Sequence, residues 1–366
     1  GDIRDISLNI DQDLEKDILP YQNFVIDRFR LAANTTDTDS YDSAEEIQAY
    51  YLNTNTDLGD AWSFGLGARF EDFTQELEYP NEPGSSNELE FDDWYPAASL
   101  TWRPTEEWQV RVGWSETVSY PGLIERSESL SYDPETDDPI FGNPDLQVST
   151  IENLDARLEY YFSDTESVSL AIFGKEIDQP IERAIPDASG SAARGITFRN
   201  QDSADLFGVE VDINKNILDR DEYLLWIGGN VSYIDSEVEL SDDSLRLEGE
   251  SANGRQLQGQ SEWLANFQVG FDHYPTEQKV TLLVNYFDDR IFRIARGETN
   301  GPEFESARVL VDLTYSWLFG QDLEWSLDAQ IKNLFNEDVE YEQNNNVIES
   351  YQNGTVFKIG ISYEFY

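Results

Sequence analysis

Side chains that commonly make or break bonds are scarce in this chain. It has no Cys and a single His, His273, beside 74 Asp+Glu and 24 Lys+Arg in 366 residues. Without Cys there can be no disulfide framework, thiolate metal site or Cys nucleophile. One unplaced His gives no Ser-His-Asp triad its base, and with so many acids no carboxylate pair stands out. We therefore expect no enzyme and no cofactor. Recognition chemistry remains. Arg126, Arg183, Arg194, Arg199, Arg290, Arg293 and Arg296 are the arginines an anionic solute would seek. Tyr120, Tyr132 and Phe141, with Phe73, Tyr79, Phe198, Tyr286, Phe292, Tyr341 and Tyr351, could stack on rings. From these sets we take Tyr120, Arg126, Tyr132, Phe141, Arg194, Arg199, Arg290 and Arg293 as the candidate solute contacts. The stretch SYDPETDDP, residues 131–139, offers Asp133, Glu135, Asp137 and Asp138 as oxygen ligands for Ca²⁺. It lacks EF-hand spacing, and reads first as a solvated loop.

Composition narrows the class. A formal charge of −50 argues against binding nucleic acid through its phosphates. Such a surface could attract cations, but it is more simply a solvated surface. Although 39% of residues are hydrophobic, no run approaches the ~20 apolar residues of a transmembrane helix. With 9 Trp, 19 Tyr and 20 Phe, the chain is too aromatic for a disordered acidic segment. It lacks Met, even at position 1, and shows no signal peptide. We expect a processed or trimmed product, or one whose Met residues were lost or replaced.

The elements that must hold those side chains alternate with period two. In WSFGLGARF, Trp62, Phe64, Leu66, Ala68 and Phe70 oppose Ser63, Gly65, Gly67 and Arg69. The same alternation recurs at 108–114, 154–162, 207–213, 265–271, 280–286, 309–317, 323–331 and 357–365, and more weakly at 46–57, 91–102, 166–175 and 223–235. That makes about thirteen strands and almost no helix. Connections alternate too. Short ones fall near 58–61, 103–107, 163–166, 218–222, 273–278 and 319–322, and long ones near 74–90, 117–150, 176–203, 236–258, 288–305 and 336–353. Tight turns at one end and long loops at the other are the pattern of an antiparallel transmembrane β-barrel, so the fold class is all-β. Trp62, Trp102, Trp108, Phe162, Trp317, Phe319 and Trp325 gather near the short turns, as an aromatic girdle would. The competing explanation is the core aromatics of a soluble all-β protein. Arg69, Arg111, Arg157, Glu159, Asp212, Asp312, Asp328 and Lys332 share the polar face, which must be hydrated or mutually paired.

Three segments carry a family resemblance. WSETVSYPGL begins at Trp114; Gly142, Asn143, Pro144, Asp145 and Leu146 form a Gly-Asn-Pro-Asp-Leu box that leads to Glu159–Phe162; and KNLFN, Lys332 to Asn336, is followed by Tyr341. With an aromatic last strand, this order resembles the C-terminal barrel of TonB-dependent outer-membrane receptors, over roughly residues 40–366. The resemblance implies an outer-membrane monomer in lipid that takes up a scarce solute, with TonB and an N-terminal plug domain as partners. No plug is visible, and the usual ~22 strands do not fit. We read 45–366 as C-terminal barrel strands, and 1–44 as a barrel strand or extracellular loop segment. A ferric siderophore is the expected solute and an oligosaccharide its rival. A passive outer-membrane channel and a soluble all-β binding protein also fit parts of the pattern. Asn143, Pro144 and Asp145 are expected to form a turn. Asn333, Leu334 and Phe335 should pin a strand end, with Phe335 at the outer interface.

Overall fold

The structure, a computed structural model, describes residues 6–10, 29–33, 40–82, 84–133, 138–187, 195–297 and 299–365. Thirteen strands form one antiparallel meander in which sheet order is chain order. They are β1 (Asp42–Leu58), β2 (Trp62–Glu78), β3 (Ser86–Trp102), β4 (Trp108–Ser119), β5 (Ser149–Ser163), β6 (Glu166–Asp178) and β7 (Ser203–Asp219). There follow β8 (Tyr223–Glu239), β9 (Trp263–His273), β10 (Gln278–Phe287), β11 (Arg308–Phe319), β12 (Trp325–Lys332) and β13 (Val356–Tyr363). The sheet is an open wall with β1 and β13 at its edges. Ile6–Ile10 and Phe29–Ala33 pair separately as a two-stranded ladder. No described helix is long and apolar enough to cross a membrane, which says nothing about crossing by strands.

All the strands expected from periodicity are present, and so is the alternation of short and long connections. Two expected loops are mostly strand: 336–353 folds as the hairpin Asp338–Gln343 with Asn346–Gln352, and 74–90 extends the wall. β2 and β3 stay paired as far as Glu78 opposite Ser86, leaving a turn at 79–85 where a loop was expected over 74–90. Beyond Phe70 the apolar residues change to the opposite face: Phe73, Leu77 and Leu89 are buried there, Phe73 and Leu89 against Tyr120 and Val148 at the two ends of the 120–148 loop.

Register explains the two faces. Directly paired residues share a face, so Trp62 meets Trp102, and Phe70 meets Trp94. Across β4–β7, Trp114, Leu154, Gly174 and Phe207 are successive partners. One pair nearer the long loops, the same face turns acidic in step: Glu116, Glu152, Glu176, Asp205 and Glu237 are successive partners across β4–β8. The apolar band thus ends at one level on neighbouring strands. On β2 it runs from Trp62 to Phe70, close to the ~9–11 residues with which a tilted strand crosses a bilayer. At the short-turn end, stacked or tilted aromatic pairs line the same face: Trp62–Trp102 at 5.5 Å, Trp108–Tyr160 at 4.8 Å, Trp317–Phe319 at 4.6 Å and Trp325–Tyr363 at 4.8 Å between centroids.

The polar face pairs its own charges. Arg111 and Arg157 lie 3.1 and 3.2 Å from Glu159, and Arg157 also reaches Asp212 at 3.0 Å. Loops cover only the upper part of this face. Apolar burial is concentrated there, in three small clusters around Phe73, Ile291 and Val238.

Two wall glycines lie under aromatic rings on the paired strand. A Cβ on Gly208 would meet the Phe173 ring at 2.2 Å, and one on Gly270 the Trp226 ring at 2.0 Å, whereas at Gly113 the nearest atom is 3.8 Å away. We expect Gly208→Ala and Gly270→Ala each to cost about 1–3 kcal/mol by displacing the ring, and Gly113→Ala to cost little. Denaturant unfolding in micelles checks this; equal effects at all three positions would contradict it.

Candidate functional site

The long loops form a crown whose base is the Gly142–Leu146 box. A Cβ on Gly142 would lie 2.1 Å from the Ser127 carbonyl oxygen, so the close approach of these two backbones requires glycine. Asn143 donates its backbone N–H to Glu125 O at 2.6 Å and its side-chain amide to Phe198 O at 2.9 Å, and Leu146 is fully buried. The turn therefore ties its own loop to the 179–202 loop. Arg126 ends the short helix α1 (Leu123–Arg126) and is almost fully buried. It donates to Gln75 Oε1 at 3.0 Å, to Pro144 O at 3.1 Å and to Asn87 Oδ1. Burial draws its pKa below the usual guanidinium range, against the pull of Tyr79 and Asp145.

A second joint is ionic. Glu182 lies in a hairpin, Ile181–Ala184 paired with Thr197–Asn200. Arg255 reaches Glu182 at 2.8 Å and, from its Nε, Glu248 at 2.9 Å, at the end of helix α2 (Asp242–Glu248). Gln258 N–H adds a third donor to Glu182, at 2.9 Å. All three charged side chains are at least nine-tenths buried. Burial pushes the Glu248 carboxyl up, against Arg255, and the neighbouring charge of Glu182 adds to the rise. For Arg255, burial opposes the charge, but Glu182 and Glu248 together outweigh it and raise its pKa.

Between these joints lies a cup of about 890 Å³. Arg183, Arg290 and Arg308 line it beside Phe198, Phe292, Tyr341 and Tyr351. Its carboxylates, Glu125, Glu182 and Glu305, equal its guanidiniums in number. Arg290 donates from Nε to Glu305 at 2.7 Å, and Arg308 reaches the other oxygen at 3.0 Å. Phe292 packs on Tyr341 with centroids 4.4 Å apart. A smaller cavity of about 240 Å³ shares Arg183, Gln258 and Phe292 with the cup, and adds Arg293 and Arg296 against one carboxylate, Glu303. In a chain of formal charge −50, this corner of the crown is unusual in carrying nearly as many guanidiniums as carboxylates. The arrangement can cradle an anionic, ring-bearing solute; the described residues contain no cluster of His, Asp or Glu able to hold a metal ion.

Residues 7–334 match the family described as TonB dependent receptor-like, beta-barrel. The chain belongs to that family. Among solved structures, the receptor's wall and crown are similar to the siderophore receptor PiuA from Acinetobacter baumannii. That likeness has 17% identity and a TM-score of 0.64, and covers 94% of this chain and 46% of that one. It is also similar to the ferric yersiniabactin uptake receptor FyuA from Yersinia pestis, at 16% identity and TM-score 0.60, covering 89% and 46%. A point mutant of the ferric enterobactin receptor PfeA from Pseudomonas aeruginosa gives 15% identity and TM-score 0.57, covering 93% and 55%. The chain thus spans about half the length of these structures. No curated protein sequence matches it.

The receptor distributes the eight candidate contacts unevenly. Arg290 lines the cup and Arg293 the smaller cavity. Arg126 is committed to the base of the crown. Tyr120 stacks on Phe73 at 3.9 Å and donates its hydroxyl to Glu71 at 3.0 Å, below the loops. Tyr132 and Phe141 lie in the small hairpin Leu130–Tyr132 with Pro139–Phe141, and Arg199 lines a separate cavity. Arg194, Glu135 and Asp137 lie outside the described residues. The remaining two acids of the loop at 131–139 face arginines: Asp133 lies 3.5 Å from Arg183, and Asp138 pairs with Arg293. His273 caps a short turn, with Nδ1 2.6 Å from Thr276 Oγ1, at the opposite end of β9 from the 240–262 loop. Arg308, Glu305 and Arg255 do not stand out in the sequence. The first two flank a strand start, where charge reads as solvation, and a buried ion triad has no sequence signature.

Removing one member of that triad leaves a buried charge uncompensated. Arg255→Gln should cost the crown about 3–5 kcal/mol, read as lost hydrogen-exchange protection over 179–202 and 240–262 while the wall stays protected. A raised Glu248 pKa means the folded crown holds that proton more tightly than the unfolded chain. Its stabilising share is complete at low pH and lost as pH rises through the raised value. Protection of 240–262, corrected for intrinsic exchange, should therefore fall as pH rises above the ordinary carboxylate range. Glu248→Gln should flatten that fall, and a wild-type profile already flat would contradict the assignment.

Proposed function

We propose that this chain is the solute-capturing part of an outer-membrane TonB-dependent receptor for an iron-siderophore. Residues 45–366 supply the barrel wall and crown, with 1–44 contributing a further strand or loop segment. The apolar face meets lipid, the crown faces the medium, and the receptor works as a monomer with a plug domain and TonB as partners. The cup carries this reading: guanidiniums and aromatic rings converge in a crown that is otherwise acidic. Structural neighbours named as siderophore receptors support it. Uptake through such a receptor moves a solute and breaks no covalent bond in it. The protein's part is to hold the solute by charge and stacking until force on the plug opens the way. An oligosaccharide is the second reading, because Phe198, Phe292 and Tyr341 would also suit sugar rings.

The two readings separate on the arginines. In the full-length receptor, quenching of Trp fluorescence should report binding of an anionic ferric siderophore. Arg290→Gln should weaken that binding about tenfold, the worth of one charge-assisted hydrogen bond. Binding of neutral oligosaccharides alone, indifferent to Arg290→Gln, would replace the siderophore reading with its rival.

Membrane placement has its own test. Ile172 is 46% exposed in the middle of the apolar band. Ile172→Arg should cost about 2–4 kcal/mol in lipid. Ala171→Arg, on the polar face opposite Glu210, should cost well under half as much. Equal costs would place both faces in water.

A further inference from the structure

Three Asn-Gly pairs occur in the chain, at 253–254, 300–301 and 353–354, and all lie in the long loops of the crown. Such a pair is open to one reaction that needs no enzyme. The backbone nitrogen of the glycine attacks the side-chain Cγ of the asparagine, and glycine has no Cβ to obstruct that approach. A pair is protected by whatever fixes the peptide plane between its two residues.

Two of the three planes are fixed. Gly254 donates its N–H to Val238 O at 3.0 Å, which holds the attacking nitrogen, and Asn253 Oδ1 accepts Leu240 N–H at 2.9 Å, which holds the target amide. The Asn300 carbonyl accepts Arg296 N–H at 2.9 Å, and the Gly301 carbonyl accepts the Gln343 amide at 2.8 Å. Both glycines are also crowded. A Cβ on either would stand 3.0 Å from a side-chain oxygen, Glu237 Oε1 or Asn344 Oδ1.

Asn353–Gly354 is different. Among the described residues, neither the Asn353 carbonyl nor Gly354 N–H makes a hydrogen bond, and the exposed Asn353 side chain makes none. Space beside Gly354 is open, with no atom within 4 Å of where a Cβ would stand. Its φ of 79° favours glycine, so the fold itself requires the reactive neighbour. Anchoring resumes just beyond the pair, where Asn333 Nδ2 donates to Gly354 O at 3.3 Å and Thr355 Oγ1 to Asn333 O at 2.8 Å. Asn353 lines the cup.

We propose that Asn353–Gly354 is a modification site, where spontaneous deamidation places a new carboxylate in the cup. Gly354 N gives up its proton and bonds to Asn353 Cγ, closing a cyclic imide. The Cγ–Nδ2 bond breaks, and ammonia leaves with the proton. Water then opens the imide. Breaking the new N–Cγ bond leaves aspartate in an ordinary backbone, and breaking the original peptide bond leaves isoaspartate, with the chain rerouted through Cγ. Either product adds a carboxylate to Glu125, Glu182 and Glu305, against the guanidiniums of Arg183, Arg290 and Arg308. An anion is then disfavoured. That consequence rests on the siderophore reading of the cup, and the site does not.

Peptide mapping by mass spectrometry tests the site on the folded full-length receptor, held in detergent at mildly alkaline pH to deprotonate the attacking nitrogen. The Asn353 peptide should gain the mass of an amide-to-acid change, split between aspartate and isoaspartate, about tenfold faster than the Asn253 and Asn300 peptides. In denaturant the three rates should converge, and Asn353→Gln should leave its own position unmodified. An Asn353 peptide that stays intact in the folded receptor, or either of the others reacting as fast, would overturn the proposal. Trp quenching with ferric enterobactin, an anionic siderophore complex, reads the consequence. Asn353→Asp, which fixes the deamidated charge, should weaken its binding about tenfold; an unchanged affinity would overturn the effect on the cup. A wild-type receptor that binds no anionic siderophore would sink the siderophore reading alone, and the mapping would still decide the site.

Discussion

A slip of one residue between two neighbouring strands would carry Glu152 or Glu176 round to the polar face and bring Asn153 or Lys175 onto the apolar one. Since side chains alternate strictly along a strand, every slip inverts both faces at once. Register is therefore the constraint on which the rest of this molecule depends. The charge pairs of Arg111, Arg157, Glu159 and Asp212 and the ring-over-glycine contacts at Gly208 and Gly270 hold only in the register observed. Because the same register aligns the strand tops, it also decides which loops stand beside one another. Glu182 can reach Arg255 because β6, β7 and β8 end at matching heights.

The crown uses a different physics from the wall. Below, the apolar side chains sit on an exposed face and find little protein to pack against. Above, three small clusters and a set of directed polar contacts hold the loops. Such contacts fix position but return modest net free energy each, because every hydrogen bond gained replaces one to water. Gly142 lets two loops touch, Asn143 bridges them, and Arg126 gathers carbonyls and amides from β2, β3 and the box into one node. KNLFN works in the same way at the far side of the wall. Asn333 and Asn336 both have positive φ, at 51° and 52°, a conformation that Asn tolerates better than most residues. Asn333 also receives Thr355 Oγ1–H at 2.8 Å and gives its N–H to Asp312 at 2.9 Å. What reads in the sequence as a family signature is, in the structure, a pair of joints.

This division also explains how much is legible in the sequence. Period-two alternation is a local property, so strand number, order and the length of most connections can be read from residues near one another. The girdle residues are legible for the same reason; Trp62, Trp102 and Trp108 each begin or end a strand. The extension of β2 and β3 beyond residue 74 is harder to see, because polar and apolar residues alternate there as they would in a wetted loop, and the face toward the 120–148 loop is buried only by tertiary packing. Site chemistry is legible as types and not as positions. Phe292 and Tyr341 are 49 residues apart in the chain and 4.4 Å apart as rings. Nothing in a single sequence tells that Arg290 opens onto the cup while Arg126 is sealed beneath it.

The cup's charge balance bears on what it could select. Arg290 and Arg308 share Glu305, Arg183 faces Asp133, and Arg293 lies between Asp138 and Glu303. A small anion arriving here would lose its own hydration and gain guanidiniums already neutralised, so it has little to gain. A larger anion whose charge is spread over several oxygens, and which carries rings, stands differently. It can share a guanidinium with the carboxylate already there, since each has five N–H donors and two oxygens occupy only part of that fork. Its rings can meanwhile lie against Phe292 and Tyr341, which carry no charge to be displaced. If the cup takes the solute proposed for it, its acid-paired arginines would act as a filter: each stays tied to the crown through its carboxylate and would reward only a ligand that brings apolar surface along with its charge.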